Sequence, residues 1–212
     1  MNKYILTLAL LLSLGLAACT GGEETTNEST DNTTNEETAK NTPSPDEEAE
    51  QEEEVSTDEN VQESELGTLT VNYKKEDLGI SHEAGPMNLT LNAVQVATLE
   101  VSEDYKESFE NEDVVTVVTI NMTAANSSDQ TISFYPDQAT LVTDTGQQVD
   151  ADLWYSGDVG GDFLGAVTME DDVVWVLKHD EDIKNLTVHI SGPFDENYES
   201  ISEDFSLDIP LE

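Results

Sequence analysis

Few residues in this sequence could carry chemistry by type and spacing. Cys19 is the single cysteine, so its thiol is the one strong sulfur nucleophile. It follows Ala17 and Ala18 at the end of the long apolar run over residues 4–16, which begins behind Lys3. A positive start, an apolar core and small residues before a cut site are the layout of a secretory signal peptide. The run falls short of the ~20 residues that a helix needs to span a bilayer. With no second cysteine, a disulfide framework and a thiolate-ligated metal site in the mature chain are excluded. The second candidate is a set of carboxylates, Asp150, Asp152, Asp158 and Asp162, around Gly157, Gly160 and Gly161. Hard cations take several oxygen ligands from a flexible loop, so these four could hold calcium; the alternative is a solvated acidic loop. Beside them, Trp154 and Tyr155 offer either an exposed aromatic contact for a partner or an edge packed over the core.

Other chemistry is poorly provided for. His82, His179 and His189 have no metal-ligand spacing between them. No Gly-x-Ser-x-Gly elbow or phosphate-binding loop occurs. Carboxylate pairs are everywhere, so adjacency says nothing about glycosidase-type catalysis, which needs two placed carboxylates in a cleft. The sequence therefore predicts a non-enzymatic protein with no cofactor, calcium excepted. The sequons at Asn88, Asn121 and Asn185 read as chance products of Asn- and Thr-rich strands. The net charge of −40, from 47 acids against seven lysines and no arginine, repels nucleic acid and excludes it as a partner.

The elements that position these residues fall into two textures. Residues 20–66 are mostly Thr, Asn, Ser, Glu and Asp, with Pro43, Pro45 and few large apolar residues, and they hold 17 acids and one lysine. Low hydrophobicity with high like charge cannot offset the entropy of ordering, so this segment is expected to be a disordered linker. As a coil it would reach roughly 40 Å and fully stretched about 150 Å.

From Gly67 onward, short alternating β-branched runs are separated by Gly, Asn, Asp and Pro, as in an all-β sandwich. A first strand is expected around residues 69–73, then a loop over residues 74–86. Leu89, Leu91 and Ala93 share one parity and Val94 and Val96 the other, which predicts a β-bulge near Ala93. Residues 100–113 read as an acidic loop. Residues 114–125 form the strongest strand signal, with Val118, Ile120 and Met122 on one face, and Val115 and Val117 suiting cover on both sides. Asn126-Ser127-Ser128-Asp129 is a turn cluster, Ile132 and Phe134 face inward, and Pro136 stops their strand. Leu141-Val142-Thr143 and Gln147-Gln148-Val149 form a hairpin about Asp144-Thr145-Gly146. Residues 154–164 read as a long loop, and Glu170-Asp171-Asp172 as an acidic turn before a strand over residues 173–177 with Trp175 in the core. Strands at residues 185–190 and 205–211 follow, the last at an edge because of Pro210.

Two resemblances stand on these residues. Leu16-Ala17-Ala18-Cys19 resembles the lipobox of bacterial lipoproteins, which implies that the Cys19 thiol receives a diacylglyceryl group and that the chain is cut just before it. Two acyl chains suffice for stable anchoring where one is marginal. The run from Val117 to Asn126 leading into Ile132-Ser133-Phe134, the segment Leu141-Val142-Thr143-Asp144-Thr145-Gly146-Gln147 and the later Lys184-Asn185-Leu186-Thr187-Val188 resemble the immunoglobulin-like DUF4352 family, over roughly residues 89–191. That family implies a β-sandwich with no established catalytic residues. The expected organisation is a signal peptide over residues 1–18, lipidated Cys19 and a disordered acidic linker over 19–66, and an immunoglobulin-like antiparallel β-sandwich over 67–212. The expected setting is the extracytoplasmic face of a Gram-positive cell membrane. The expected partners are the lipid bilayer, through acylated Cys19, and an unidentified cell-envelope or extracellular protein.

Overall fold

Alternation along the sequence becomes antiparallel pairing in the computed structural model, which describes residues 60–212. Cys19, residues 1–18 and most of the expected linker lie outside the described residues. The strands are β1 (Val61–Ser64), β2 (Gly67–Lys75), β3 (Ile80–Ala84), β4 (Met87–Val101), β5 (Val114–Asn126), β6 (Thr131–Phe134), β7 (Thr140–Thr143), β8 (Gln148–Asp150), β9 (Gly161–Leu164), β10 (Thr168–Lys178), β11 (Asn185–Ile190), β12 (Phe194–Asp195) and β13 (Phe205–Pro210). Short 3-10 helices occupy Glu103–Phe109 and Pro136–Gln138.

The large sheet runs β1-β2-β4-β5-β10. β4 is long enough to hold two partners on one edge, β3 along its first half and β2 along its second. The junction is the bulge that the parity change predicts. Leu91 pairs with Met122 and Ala93 with Asn121, which leaves Asn92 as the extra residue. The Asn92 side-chain amide donates to Asn121 Oδ1 and Thr123 Oγ1, both at 2.8 Å, and the Asn92 backbone carbonyl accepts from Leu78 N. The inserted residue thus satisfies its polar groups where the ladder breaks.

Opposite the large sheet stand a four-stranded sheet, β13-β11-β7-β8, and a three-stranded one, β12-β6-β9. Leu89, Leu91, Val118, Ile120, Met122 and Trp175 from the large sheet bury against Ile132, Phe134, Leu141, Leu186, Val188 and Ile209. The fold is an all-β antiparallel sandwich. A smaller cluster forms on the outer face of the large sheet, where Leu99, Val101 and Val115 meet Phe109 of the first 3-10 helix. This is why Val115 and Val117 stand out of phase with Val118 and Ile120: the two parities of β5 serve two cores.

Several expectations are corrected. Folded structure begins at β1, ahead of Gly67, because Val61–Ser64 forms a two-residue hairpin with β2 through Glu65 and Leu66. The expected loop over residues 74–86 contains β3, and the acidic stretch over residues 100–113 contains a 3-10 helix that buries Phe109. The expected loop over residues 154–164 ends in β9. Glu170, Asp171 and Asp172 are strand residues of β10, paired with Thr123, Met122 and Asn121. β10 lies at the end of the sheet, so acids there keep water on one side, and Asp172 Oδ1 accepts from Asn121 Nδ2 at 2.9 Å. The edge position of β13, with Pro210, is as expected.

Candidate functional site

The acidic loop after β8 takes its shape from one carboxylate. Asp152 Oδ1 accepts from Trp154 N at 2.8 Å and from Tyr155 N at 3.3 Å, a side-chain-closed turn. Asp152 N donates to Val174 O, Gly157 N donates to Asp172 O, and Val174 N donates to Ser156 Oγ. The loop therefore occupies the open edge of β10, which would otherwise present unpaired backbone groups.

This turn sends two neighbouring aromatic residues in different directions. Tyr155 packs into the smaller core, its ring 5.9 Å from Phe109 and nearly parallel to it. Burial, and then the Asp152 charge, raise its phenol above the usual value. Trp154 points outward and is 94% exposed, beside the exposed Leu153. Of the two expected contact residues, Trp154 is free to meet a partner and Tyr155 holds the turn.

A groove of about 610 Å³ lies beside the turn, between the 3-10 helix carrying Phe109, the start of β5, the end of β10 and β8. Val115, Val149 and Val176 supply apolar lining, and Glu110, Asp150, Asp152 and Lys178 supply charge. Gln147 ties its walls together, donating from Nε2 to Lys178 O at 3.1 Å and accepting at Oε1 from Lys178 N at 3.0 Å. Asp180 secures the same corner by accepting from Thr145 Oγ1 at 2.6 Å. That bond, with the backbone N–H of Asp182, lowers its pKa below the usual carboxylate range. Gln147 is read in the sequence only as part of a hairpin and Phe109 not at all; the Tyr105–Phe109 spacing within an acidic stretch is the one signal that could have found the helix.

The four expected cation ligands do not converge. Asp150, on the four-stranded sheet, accepts from Thr140 Oγ1 at 2.7 Å, and Asp162, on the three-stranded sheet, accepts from Ser133 Oγ at 2.5 Å. Asp152 closes its turn, and Asp158 donates its backbone N–H to Asp171. Among the described residues no group of three or more His, Cys, Asp or Glu side chains is arranged around a common point. The histidines stand apart. His82 lies on β3, not in a loop, and stacks on Phe205 at 3.9 Å; His179 is 3.6 Å from Glu181; and Nδ1 of the exposed His189 lies 2.7 Å from Ser206 Oγ. Trp175 is core, as expected.

One carboxylate missed in the sequence is Asp137, on the second 3-10 helix. Its Oδ1 is buried without a hydrogen-bond partner among the described residues. Burial raises its pKa, and the nearby Asp158 charge adds to this. A raised carboxyl value means that the folded state holds the proton more tightly than the unfolded chain does. Stability therefore falls as pH rises from the unfolded value through the raised one, and the deficit is complete above it. Asp137→Asn is expected to stabilise the protein at pH 7 by up to about 1 kcal/mol, the figure kept small because the side chain is partly solvated. The gain should shrink towards pH 4, as thermal melts at both values would show.

Comparison with known proteins adds the following. A family model described as "Domain of unknown function (DUF5068)" matches residues 45–155, which include β1 to β8 and the Trp154 turn. A Bacillus subtilis (strain 168) protein named "SPbeta prophage-derived uncharacterized lipoprotein YonS" is 31% identical over 99 residues, covering 45% of this chain and 49% of that protein. The chain thus spans about half the length of the curated relative it matches. A functionally unknown protein from Listeria monocytogenes EGD-e shares the fold, with a TM-score of 0.55 at 16% identity over 69% of this chain and 89% of that one. The matching model is not the DUF4352 family suggested by strand texture: the chain belongs to the DUF5068 family, a domain of unknown function.

Proposed function

We propose that this protein is a membrane-anchored extracytoplasmic lipoprotein that displays its sandwich as a non-catalytic binding domain. The observation that carries the reading is Leu16-Ala17-Ala18-Cys19 at the end of the apolar run. The name of the Bacillus subtilis relative, a lipoprotein, supports it. In this reading residues 1–18 direct export, acylated Cys19 enters the bilayer, and the acidic stretch before β1 sets the domain away from the membrane. Among the described residues no helix is long and apolar enough to cross a membrane. The sandwich is read as immunoglobulin-like, and its antiparallel layers support that. The Bacillus subtilis relative supports a Gram-positive host.

Trp154 and the adjoining groove are the proposed recognition surface for an envelope or extracellular protein. A large apolar ring left in water gains little for folding, whereas burying it against a partner would contribute on the order of 2 kcal/mol or more. The proposal relies on no cation; the carboxylates of Asp150, Asp152 and Asp162 each accept a hydrogen bond from a nearby Thr, Trp or Ser group.

Cys19→Ser tests the anchor. In a lipoprotein-processing bacterial host the wild-type protein should sediment with membranes, and the variant's membrane-bound fraction should drop by at least about tenfold, because two acyl chains supply most of the affinity. Unchanged membrane partition of the variant would overturn the reading.

A further inference from the structure

A second surface, on the three-stranded sheet, is built around a row of three rings. Tyr135 follows β6, and Phe194 lies on β12 opposite Ser133. Their ring centroids are 6.1 Å apart, and Phe194 lies 5.8 Å from Tyr198, with interplanar angles of 28° and 25°. Tyr198 is 85% exposed. Its backbone is also left-handed, with φ 61°, a conformation that glycine or asparagine adopts at lower cost than tyrosine. Folding does not account for this residue: the ring buries little, and the backbone is strained. Strain held in place by its surroundings points towards function.

The surroundings that hold it come from Asp195. Its Oδ1 accepts from Asn197 N at 2.8 Å and Glu199 N at 2.9 Å, its own N–H donates to Glu199 O, and its carbonyl accepts from Tyr198 N at 2.9 Å. The turn is thus cross-tied at both ends, and Tyr198 is presented beside Phe194.

Charge selects the occupant. Neither residues 107–177 nor residues 185–212 contain a lysine or arginine, so every element carrying the row lacks a cation of its own. Glu196 and Glu199 lie within two residues of Tyr198 in the sequence, and Asp162 stands across the sheet at Ser133. Aromatic faces attract cations within roughly 6 Å of the ring centroid, guanidinium most often, and the acidic surface raises the local concentration of basic partners. The ring spacing fits an extended peptide, whose alternate side chains recur on one face every ~6.6 Å.

We propose that Tyr135, Phe194 and Tyr198 form a docking strip for an extended, arginine-bearing segment of a partner protein. This names a partner chemistry beyond the display reading, and it holds whether or not Cys19 carries lipid. The test is calorimetric titration of the full-length protein, in detergent, with an Arg-Gly-Arg-Gly-Arg peptide. About 0.3 M salt shortens the Debye length to below that of physiological buffer and suppresses the diffuse field. A neutral chito-oligosaccharide is titrated in parallel. Tyr198→Ser and Tyr198→Gly, which keep the net charge, should each weaken peptide binding by at least about fivefold. The glycine variant should melt no lower than wild type because it relieves the backbone. Equal affinity in the Tyr198 variants, loss of all wild-type peptide binding at that salt, or binding of the oligosaccharide without the peptide would each overturn the proposal.

Discussion

Replacing Trp175 with alanine is expected to destabilise the protein by about 4 kcal/mol. The indole is fully buried in the middle of β10, opposite Val118 of β5. Its Nε1 donates to Ala139 O at 3.0 Å, a bond from the large sheet to the segment leading into β7. Truncation removes both the packing between the layers and that link. The intermediate variant Trp175→Phe separates the two contributions. Ala139 O also accepts from Ala151 N at 3.0 Å, so losing the indole N–H leaves that oxygen with one partner. Trp175→Phe should therefore cost about 1–2 kcal/mol, mostly in volume. Denaturant unfolding measures both. Fluorescence gives an independent check: Trp154 is solvated, so the buried component of the emission belongs to Trp175 and should vanish in either variant.

Gly67→Ala is expected to cost about 2–4 kcal/mol, unusually much for one methyl group. Gly67 has φ 139°, and an added Cβ would fall on the carbonyl oxygen of Glu100 in β4. That atom is backbone within a paired strand and cannot turn aside as a side chain would. Gly67 also pairs with Ser64 to close the β1–β2 hairpin and with Val101 to start the β2–β4 ladder. The damage should be local before it is global. Amide exchange should accelerate in β1 and the first residues of β2, while the centre of β5 loses protection only by the overall drop in stability. Unchanged exchange in β1 would mean that the hairpin tolerates the methyl group.

Much of this architecture is legible in the residues because side-chain parity is a local property. The change from Leu91 to Val94 announces the bulge at Asn92, and the doubled apolar pattern of Val115, Val117, Val118 and Ile120 announces two cores on one strand. Pro210 marks an edge because it cannot donate to a ladder. What stays hidden depends on tertiary partners. β3 reads as loop because Ser81, His82 and Glu83 carry little apolar signal; its pairing with β4 supplies the order. Glu170-Asp171-Asp172 reads as a turn until β5 and the Trp154 loop are seen on either side. At the candidate site the exposure of Trp154 and the burial of Tyr155 follow from the Asp152 turn, whose geometry composition does not reveal. The scatter of Asp150, Asp152, Asp158 and Asp162 has the same cause: Asp150 and Asp162 fall on different sheets, and Asp152 and Asp158 in the loop between them.

The central claim, a lipid-anchored display domain, is tested most directly by mass spectrometry of the mature protein's N-terminal peptide, isolated from membranes of a lipoprotein-processing bacterial host. The account predicts a chain that begins at Cys19, its sulfur carrying a diacylglyceryl group, with no peptide from residues 1–18. A free thiol at Cys19, or a chain that still begins at Met1, would contradict it.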